Sequence, residues 1–224
     1  MDNRTIAVTP AQSLAELATR IPAASRVFRE AGLDYCCGGK KSLGDACAAK
    51  GLDPQALITA IQSQGVPAEP TWDQRPLVAL VSHIVERFHL PLRRELPELH
   101  AMATKVEQKH GEKASCPHGL AAHLAGIQEA VFSHLDKEEQ ILFPMIVAGR
   151  GAFATGPIQM MEMEHDEHGA NLARTRAMTG DFTAPPEACP TWQALYLRLR
   201  ELEGDLMDHI ALENNILFPR ALCE

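Results

Sequence analysis

The amino-acid sequence points to an all-α protein: an antiparallel four-helix bundle preceded by a small helical domain that carries cysteines. Three observations carry this expectation. Ala, Leu and Glu are abundant while runs of Val, Ile and Thr are scarce, a composition that favours helix over strand. Beyond residue 76, apolar residues recur at steps of three and four through four long stretches of about 20 to 30 residues each. The breaks between them are about ten residues, short enough to set neighbouring helices antiparallel. At 224 residues the chain can hold a bundle and a smaller unit.

Taken in order, the N-terminal part shows three helix starts. Ser13 with Glu16 forms a capping box before LAELATR, and Ser42 with Asp45 forms another before LGDACAAK. Asp53-Pro54 places an N-cap ahead of a proline at the first helical position. Residues 9–64 therefore read as short helices, interrupted at AGLDYCCGGKK by a glycine-imposed loop. The stretch QGVPAEPTWDQRP at 64–76 holds three prolines and reads as a linker, which puts one domain at 1–66 and a second at 76–224. The first bundle helix runs from about Leu77 to Lys109, and its Pro91 and Pro97 predict a kink or a break. The second runs from about Gly119 to Val147 after Cys116-Pro117, the third from Pro157 to Met178, and the fourth from Pro190 to Leu222.

A formal net charge of -8 without a dense basic patch argues against a nucleic-acid partner. MDNRTIAVTPAQ lacks the apolar centre of a signal peptide. No run approaches the roughly 18 apolar residues of a membrane span. The expectation is a cytoplasmic protein with no membrane partner, in a compartment where thiols stay reduced. A disulfide framework built from Cys36, Cys37, Cys47, Cys116, Cys189 and Cys223 is accordingly a weak reading.

The strongest signal is an internal repeat. HLDKEEQILFP at 134–144 returns as HIALENNILFP at 209–219, with six of eleven positions identical. In the second helix Leu124, Ile127, Val131, His134, Glu138 and Leu142 make one stripe. In the fourth, Leu195, Leu199, Leu202, Leu206, His209, Glu213 and Leu217 do the same. A glutamate facing a core is costly unless it is paired or binds metal. One inward His-x-x-x-Glu fits a hydrogen-bonded core couple; two copies with matched flanks point to a shared cation. Further histidines face the same way. His165 lies on the stripe of Met161 and Leu172, and His168, one step aside, stands as its alternative. In the first helix His89 flanks the face formed by Leu77, Leu80, Val81, Ile84, Val85, Phe88 and Leu92, while His83 lies nearly opposite. His83, His100, His110, His118 and His123 read as solvated or supporting. Four histidines and two glutamates fit a pair of iron ions with open positions, with manganese or zinc as the alternative. A ferroxidase-type set would need Glu-x-x-His on two helices, and only Glu162–His165 has that spacing on an inward stripe.

The pieces DYCCGGK at 34–40, RFH at 87–89, LPEL at 96–99, HLDKEEQILFPM at 134–145, MEMEHDEHG at 161–169, PPEAC at 185–189 and HIALENNILFPRAL at 209–222 resemble the hemerythrin-like proteins. With the DYCCGG front end they resemble the bacterial iron–sulfur cluster repair proteins in particular, over nearly the whole chain. The resemblance implies a hemerythrin-like bundle holding two non-haem irons, oxo- and carboxylate-bridged. Its ligands fall on His89, His134, His165 and His209, with Glu138 and Glu213 bridging. It implies a polar-channel or supporting role for Glu164, and the family's cysteine pair falls on Cys36 and Cys37; His168 is outside the family's set. It also implies repair of clusters damaged by nitrosative and oxidative stress, through iron donation, nitric oxide reduction or removal, with damaged iron–sulfur proteins as partners and a homodimer as the assembly. The alternative is a module that binds or senses O2 or NO; a dedicated oxygen carrier would need a fifth inward histidine. Cys36-Cys37 reads as a mobile thiol arm whose pKa the nearby helix start at Ser42, with Lys40 and Lys41, would lower. Its plainer reading is two small residues buried at a turn.

Overall fold

The computed structural model describes residues 7–63 and 72–224; most of the expected linker lies outside the described residues. Among the described residues the regular structure is helical, apart from one backbone bridge between Ser13 and Ser42. None of these helices is long and apolar enough to cross a membrane.

Four short helices come first: α1 (Leu14–Arg20), α2 (Pro22–Glu30), α3 (Leu43–Lys50) and α4 (Pro54–Gln62). The three expected caps form. Ser13 Oγ accepts from the Glu16 N–H (3.1 Å), Ser42 Oγ from the Asp45 N–H (3.0 Å) and Asp53 Oδ1 from the Gln55 N–H (2.9 Å). Each such cap stabilises its helix by about 1 kcal/mol. The Ser13–Ser42 bridge ties two of these helix starts together, so α1 and α3 launch from one point. Leu14, Leu17, Phe28, Leu43, Ile58 and Ile61 fill the space between the helices, and this core runs on into that of the bundle.

The bundle has four rods. The first is α5 (Leu77–Ile84), a π-helical turn over Val85–His89, and α6 (Leu90–His110). The second is α7 (Leu120–Lys137), a π-turn over Glu138–Leu142, and α8 (Phe143–Val147). The third is α9 (Thr155–Met178). The fourth is α10 (Pro190–Leu212), a π-turn over Glu213–Leu217, and α11 (Phe218–Cys223). Rod one packs through α6 on α7 and α10, and α9 packs on α7; α5, which opens rod one, meets α8, which closes rod two, as antiparallel neighbours do.

Each π-turn ends two residues before a proline: Pro91, Pro144 and Pro219. Proline lacks an N–H and its ring crowds the carbonyl four residues back. Widening the turn moves that carbonyl away. The residue before each proline then bonds five residues back: Leu90 to Val85, Phe143 to Glu138, Phe218 to Glu213. The expected break at Pro91 is thus absorbed without ending the rod. Pro97 stays inside α6 on an exposed face, where the freed carbonyl meets solvent.

The stripes read from the sequence point inward, and the bundle interior divides into two apolar clusters. One contains Phe88, Leu92, Leu135, Leu172 and Leu206; the other contains Ile84, Leu142, Phe143, Met161 and Leu217. His89, His134, Glu138, His165, His209 and Glu213 fall where the two clusters meet, so a layer of imidazoles and carboxylates is clamped between apolar plugs. The second cluster is closed by Gly151, where an added Cβ would run into the Ala221 carbonyl of α11. Gly151→Ala is expected to cost about 1–3 kcal/mol of stability by overpacking, read as a lower urea midpoint with an unchanged slope.

Candidate metal centre

Rod one brings His89, rod two His134 and Glu138, rod three His165, and rod four His209 and Glu213. All six side chains are 0–1% exposed. They form two overlapping groups whose ligand atoms lie within 4.8 Å of one another: His89, His209, Glu138 and Glu213, and His134, His165, Glu138 and Glu213. One Glu213 oxygen lies 3.0 Å from His209 Nε2 and the other 3.2 Å from His165 Nε2. Glu138 Oε2 lies 3.4 Å from both His89 Nε2 and His134 Nε2. These contacts are close enough for charge attraction but not aligned as hydrogen bonds. All four oxygens of the two glutamates lack a hydrogen-bond partner among the described residues.

The outer ring nitrogens decide what the inner ones can be. His89 Nδ1 donates to Glu139 Oε1 (2.9 Å) and His134 Nδ1 to Glu164 Oε2 (2.9 Å). Carboxylates only accept, so both Nδ1 atoms carry hydrogen. His165 Nδ1 faces Asn214 Oδ1 at 2.8 Å, while Asn214 Nδ2 donates to the Cys36 carbonyl at 3.2 Å. The carbonyl can only accept, which fixes the amide's orientation and puts hydrogen on His165 Nδ1 as well. In these three rings, when neutral, the inner Nε2 atoms are then bare lone pairs, whereas His209 Nδ1 has no partner among the described residues and leaves that ring's tautomer open. Yet His134 Nε2 and His165 Nε2 stand 3.1 Å apart, and His89 Nε2 stands as close to His209 Nε2. Two bare lone pairs of His134 and His165 facing one another beside buried, unpartnered carboxylates call for positive charge at their centre. The donor set of imidazole and carboxylate suits iron, manganese or zinc.

The electrostatics of the six side chains point the same way. Burial disfavours a charged His134, but Glu138, Glu213 and Glu164 outweigh it and raise its pKa to about 9. A proton there stands in for a metal cation. Burial and the Glu213 charge raise Glu138, while His209 and His165 hold Glu213 low against the effect of its burial. Burial and the neighbouring His209 push His89 down to about 4, leaving it a neutral donor.

The repeated motif builds more than ligands. The residue after each buried glutamate, Glu139 or Asn214, holds the Nδ1 of a histidine on the neighbouring rod. The phenylalanine of each Ile-Leu-Phe-Pro stacks on that same ring: Phe143 on His89 (5.5 Å between centroids) and Phe218 on His165 (5.8 Å). Each copy is thus a clamp for one foreign imidazole, grasped by edge and face. Sequence reasoning passed over Glu139 and Asn214. Their signal was position alone, directly after a stripe glutamate.

Glu164 sits one residue before His165, half-buried, bonded to His134 Nδ1 and to Lys137. Burial would raise its pKa, but Lys137 and His134 hold it below the usual carboxylate range. It therefore orients His134 from outside the two groups. His168 is buried with its ring edge-on to His134 at 5.0 Å, its Nε2 has no partner among the described residues, and it is absent from both groups. Burial, with His134 and His165 beside it, pushes it down to about 3. Of the histidines expected to be solvated or supporting, His110 is buried against Trp192.

The cysteine pair does not form a free arm. Asp34 Oδ1 accepts from the N–H groups of Cys36 (3.2 Å) and Cys37 (2.9 Å) and from the Cys36 thiol (3.3 Å). All six cysteines are unbridged. The hydrogen bond to Cys37, burial and the Asp34 carboxylate push the Cys36 thiol up, opposite to the expected activation. The helix start at Ser42 is overruled by these nearer groups.

Residues 80–221 match the family described as hemerythrin HHE cation binding domain, and residues 10–64 match ScdA_N, described as a domain of unknown function (DUF542). The chain is 50% identical over 212 residues to a protein named iron-sulfur cluster repair protein YtfE from Escherichia coli O157:H7, covering 94% of this chain and 96% of that relative. The same identity and coverage hold for proteins of that name from Shigella boydii serotype 4 (strain Sb227) and Escherichia coli (strain K12 / DH10B).

Because the four glutamate oxygens lack a hydrogen-bond partner and four imidazoles face them, binding of metal is expected to stabilise the fold. Ferrous iron at about 100 times its dissociation constant should add about 2.7 kcal/mol, or about 5–10 °C in melting temperature for a chain of this size. In the Glu138→Ala, Glu213→Ala double variant the shift should vanish, as differential scanning fluorimetry under argon would read.

Proposed function

The chain belongs to the hemerythrin HHE cation-binding family, and from that premise we propose that it is a non-haem di-iron protein that repairs iron–sulfur clusters damaged by nitrosative and oxidative stress. The observation that carries the metal reading is the convergence of bare imidazole nitrogens and unsatisfied carboxylate oxygens in the buried layer. The repair reading draws on the relatives named for that activity, which cover nearly the whole chain, cysteine domain included.

In this reading His89 and His209 would hold one iron and His134 and His165 the other, with Glu138 and Glu213 within reach of both groups. Bound iron supplies a one-electron ferrous–ferric couple and coordination positions for nitric oxide or dioxygen. The chain's own residues do the rest. Glu139, Glu164 and Asn214 lock three rings with Nε2 turned inward, which raises their basicity as donors. Phe88, Phe143 and Phe218 cover ring faces and exclude water. Two carboxylates among six donors leave a pair of divalent ions only half neutralised, since two negative charges face four positive ones. Iron held this way is a cargo that can leave, which suits donation to a stripped cluster. Damaged iron–sulfur proteins are the partners, nitric oxide and dioxygen the small ligands, and the cytoplasm the setting.

Anaerobic reconstitution is expected to give two irons per chain by elemental analysis. The iron-loaded protein should restore the visible absorbance of a ferredoxin whose cluster nitric oxide has destroyed, faster than the same amount of free ferrous iron. Recovery no faster than with free iron would remove the donor route. Titration with nitric oxide then separates two further cases: nitrous oxide in the headspace marks reductive removal, whereas a persistent nitrosyl without nitrous oxide marks a sensor.

A further inference from the structure

The loop carrying the cysteine pair is fastened to the metal centre at one residue. Asn214 donates from Nδ2 to the Cys36 carbonyl (3.2 Å) and accepts at Oδ1 from His165 Nδ1 (2.8 Å). Its neighbour Asn215 donates to the Tyr35 carbonyl (3.2 Å) but is not bonded to a ligand histidine. The loop touches His165 a second time, where the Cys37 thiol donates to the His165 carbonyl (3.5 Å). Gly39 permits this docking, since a Cβ there would approach the Tyr35 carbonyl to 2.7 Å and Asn215 to 3.2 Å. Cys36 and Cys37 also line a cavity of about 650 Å3 whose other walls include Asp166, Gly169, Arg176 and Glu203. The thiols therefore stand between this cavity and the backbone of a candidate ligand.

We propose that Asn214 is a positioning residue that couples the Cys36–Cys37 loop to metal occupancy at His165, keeping Cys37 against α9 while the centre is filled and letting it turn to the cavity once the iron has gone. The proposal rests on the metal reading above. A cation on His165 Nε2 polarises the Nδ1–H and strengthens its bond to Asn214 Oδ1. The amide, held at one end, keeps its other end on the Cys36 carbonyl. Without the cation both bonds weaken together. By linkage the effect is reciprocal: a loop pulled away loosens the grip on His165 and on its metal.

Cys37 alkylation by iodoacetamide, followed by peptide mass spectrometry, tests this in the full-length chain, with exposed Cys223 as internal reference. Iron loading of the wild type is expected to slow Cys37 alkylation by about fivefold or more, the low end of ordinary coupling between sites, and to leave Cys223 unchanged. Asn214→Asp keeps the acceptor for His165 and removes the donor to Cys36, as Glu139 does in the other half. It should still take up iron yet alkylate quickly in both states. Asn214→Ala should also alkylate quickly in both states and lose iron faster than Asn214→Asp to a ferrous chelator, and Asn215→Ala should speed alkylation while retaining the iron dependence. Protection in Asn214→Asp equal to the wild type would overturn the coupling. So would a wild type that holds iron but alkylates equally with and without it, an outcome that leaves the metal reading intact. A chain that takes up no iron overturns both.

Discussion

Two carboxylates without a hydrogen-bond partner and four imidazoles are turned toward one another in a buried layer, and the rest of the architecture follows from that conflict. A buried carboxylate without a partner costs several kcal/mol, and here two share a site. Opposed lone pairs on neutral His134 and His165, 3.1 Å apart, add to the cost. Such a layer survives folding only if the surroundings hold it rigidly and a positive charge relieves it. The apolar clusters on either side supply the rigidity, because side chains packed to crystal-like density leave no room for the rings to turn away. A proton on His134 is a partial remedy; a metal ion would satisfy the whole set at once.

The prolines solve a related problem of aim. A regular helix puts His89 at the flank of its apolar face, where it would share its edge with solvent. The π-turn ending at His89 inserts extra backbone just before it and turns the ring fully inward. In rods two and four the turn begins at the buried glutamate and ends before Phe-Pro, so the glutamate, the clamp residue and the phenylalanine address the same neighbour. This explains why the repeat extends past its ligands to Ile-Leu-Phe-Pro: the proline forces the widening, and the widening sets the phenylalanine against the foreign ring.

The stripes of the second and fourth helices were legible because each of their residues obeys one period, and a glutamate in line with leucines stands out. His165 was legible in the same way, through Met161 and Leu172. His89 was not fixed by period, since the π-turn breaks the period at that point. Glu139 and Asn214 read as ordinary polar residues of a solvated face, because half-burial against another rod leaves no mark in local spacing. The cysteine loop was misjudged for a different reason. Its glycines and lysines describe a free turn, whereas its restraints come from Asn214 and Asn215, 178 and 180 residues away along the chain. Contacts of that range carry no local signature.

The small domain is therefore fastened to rod four by directed bonds as well as by apolar contact. Tyr35 donates to Asp208 at 2.6 Å, Arg29 approaches the same carboxylate at 4.0 Å, and Asn214 and Asn215 hold the two carbonyls that follow. Gly204 gives Arg29 room to lie across α10, since a side chain there would run into its guanidinium. Apolar contact alone would tolerate sliding by a residue or more. A row of hydrogen bonds tolerates one register, because each displaced partner is left unsatisfied in a partly buried seam. Asp208 adjoins His209, and Asn214 adjoins Glu213, so the register of the seam and the geometry of the buried layer are set by the same two turns of helix. A domain placed by those turns has its thiols indexed to the candidate metal ligands, and any change in the one must be felt by the other.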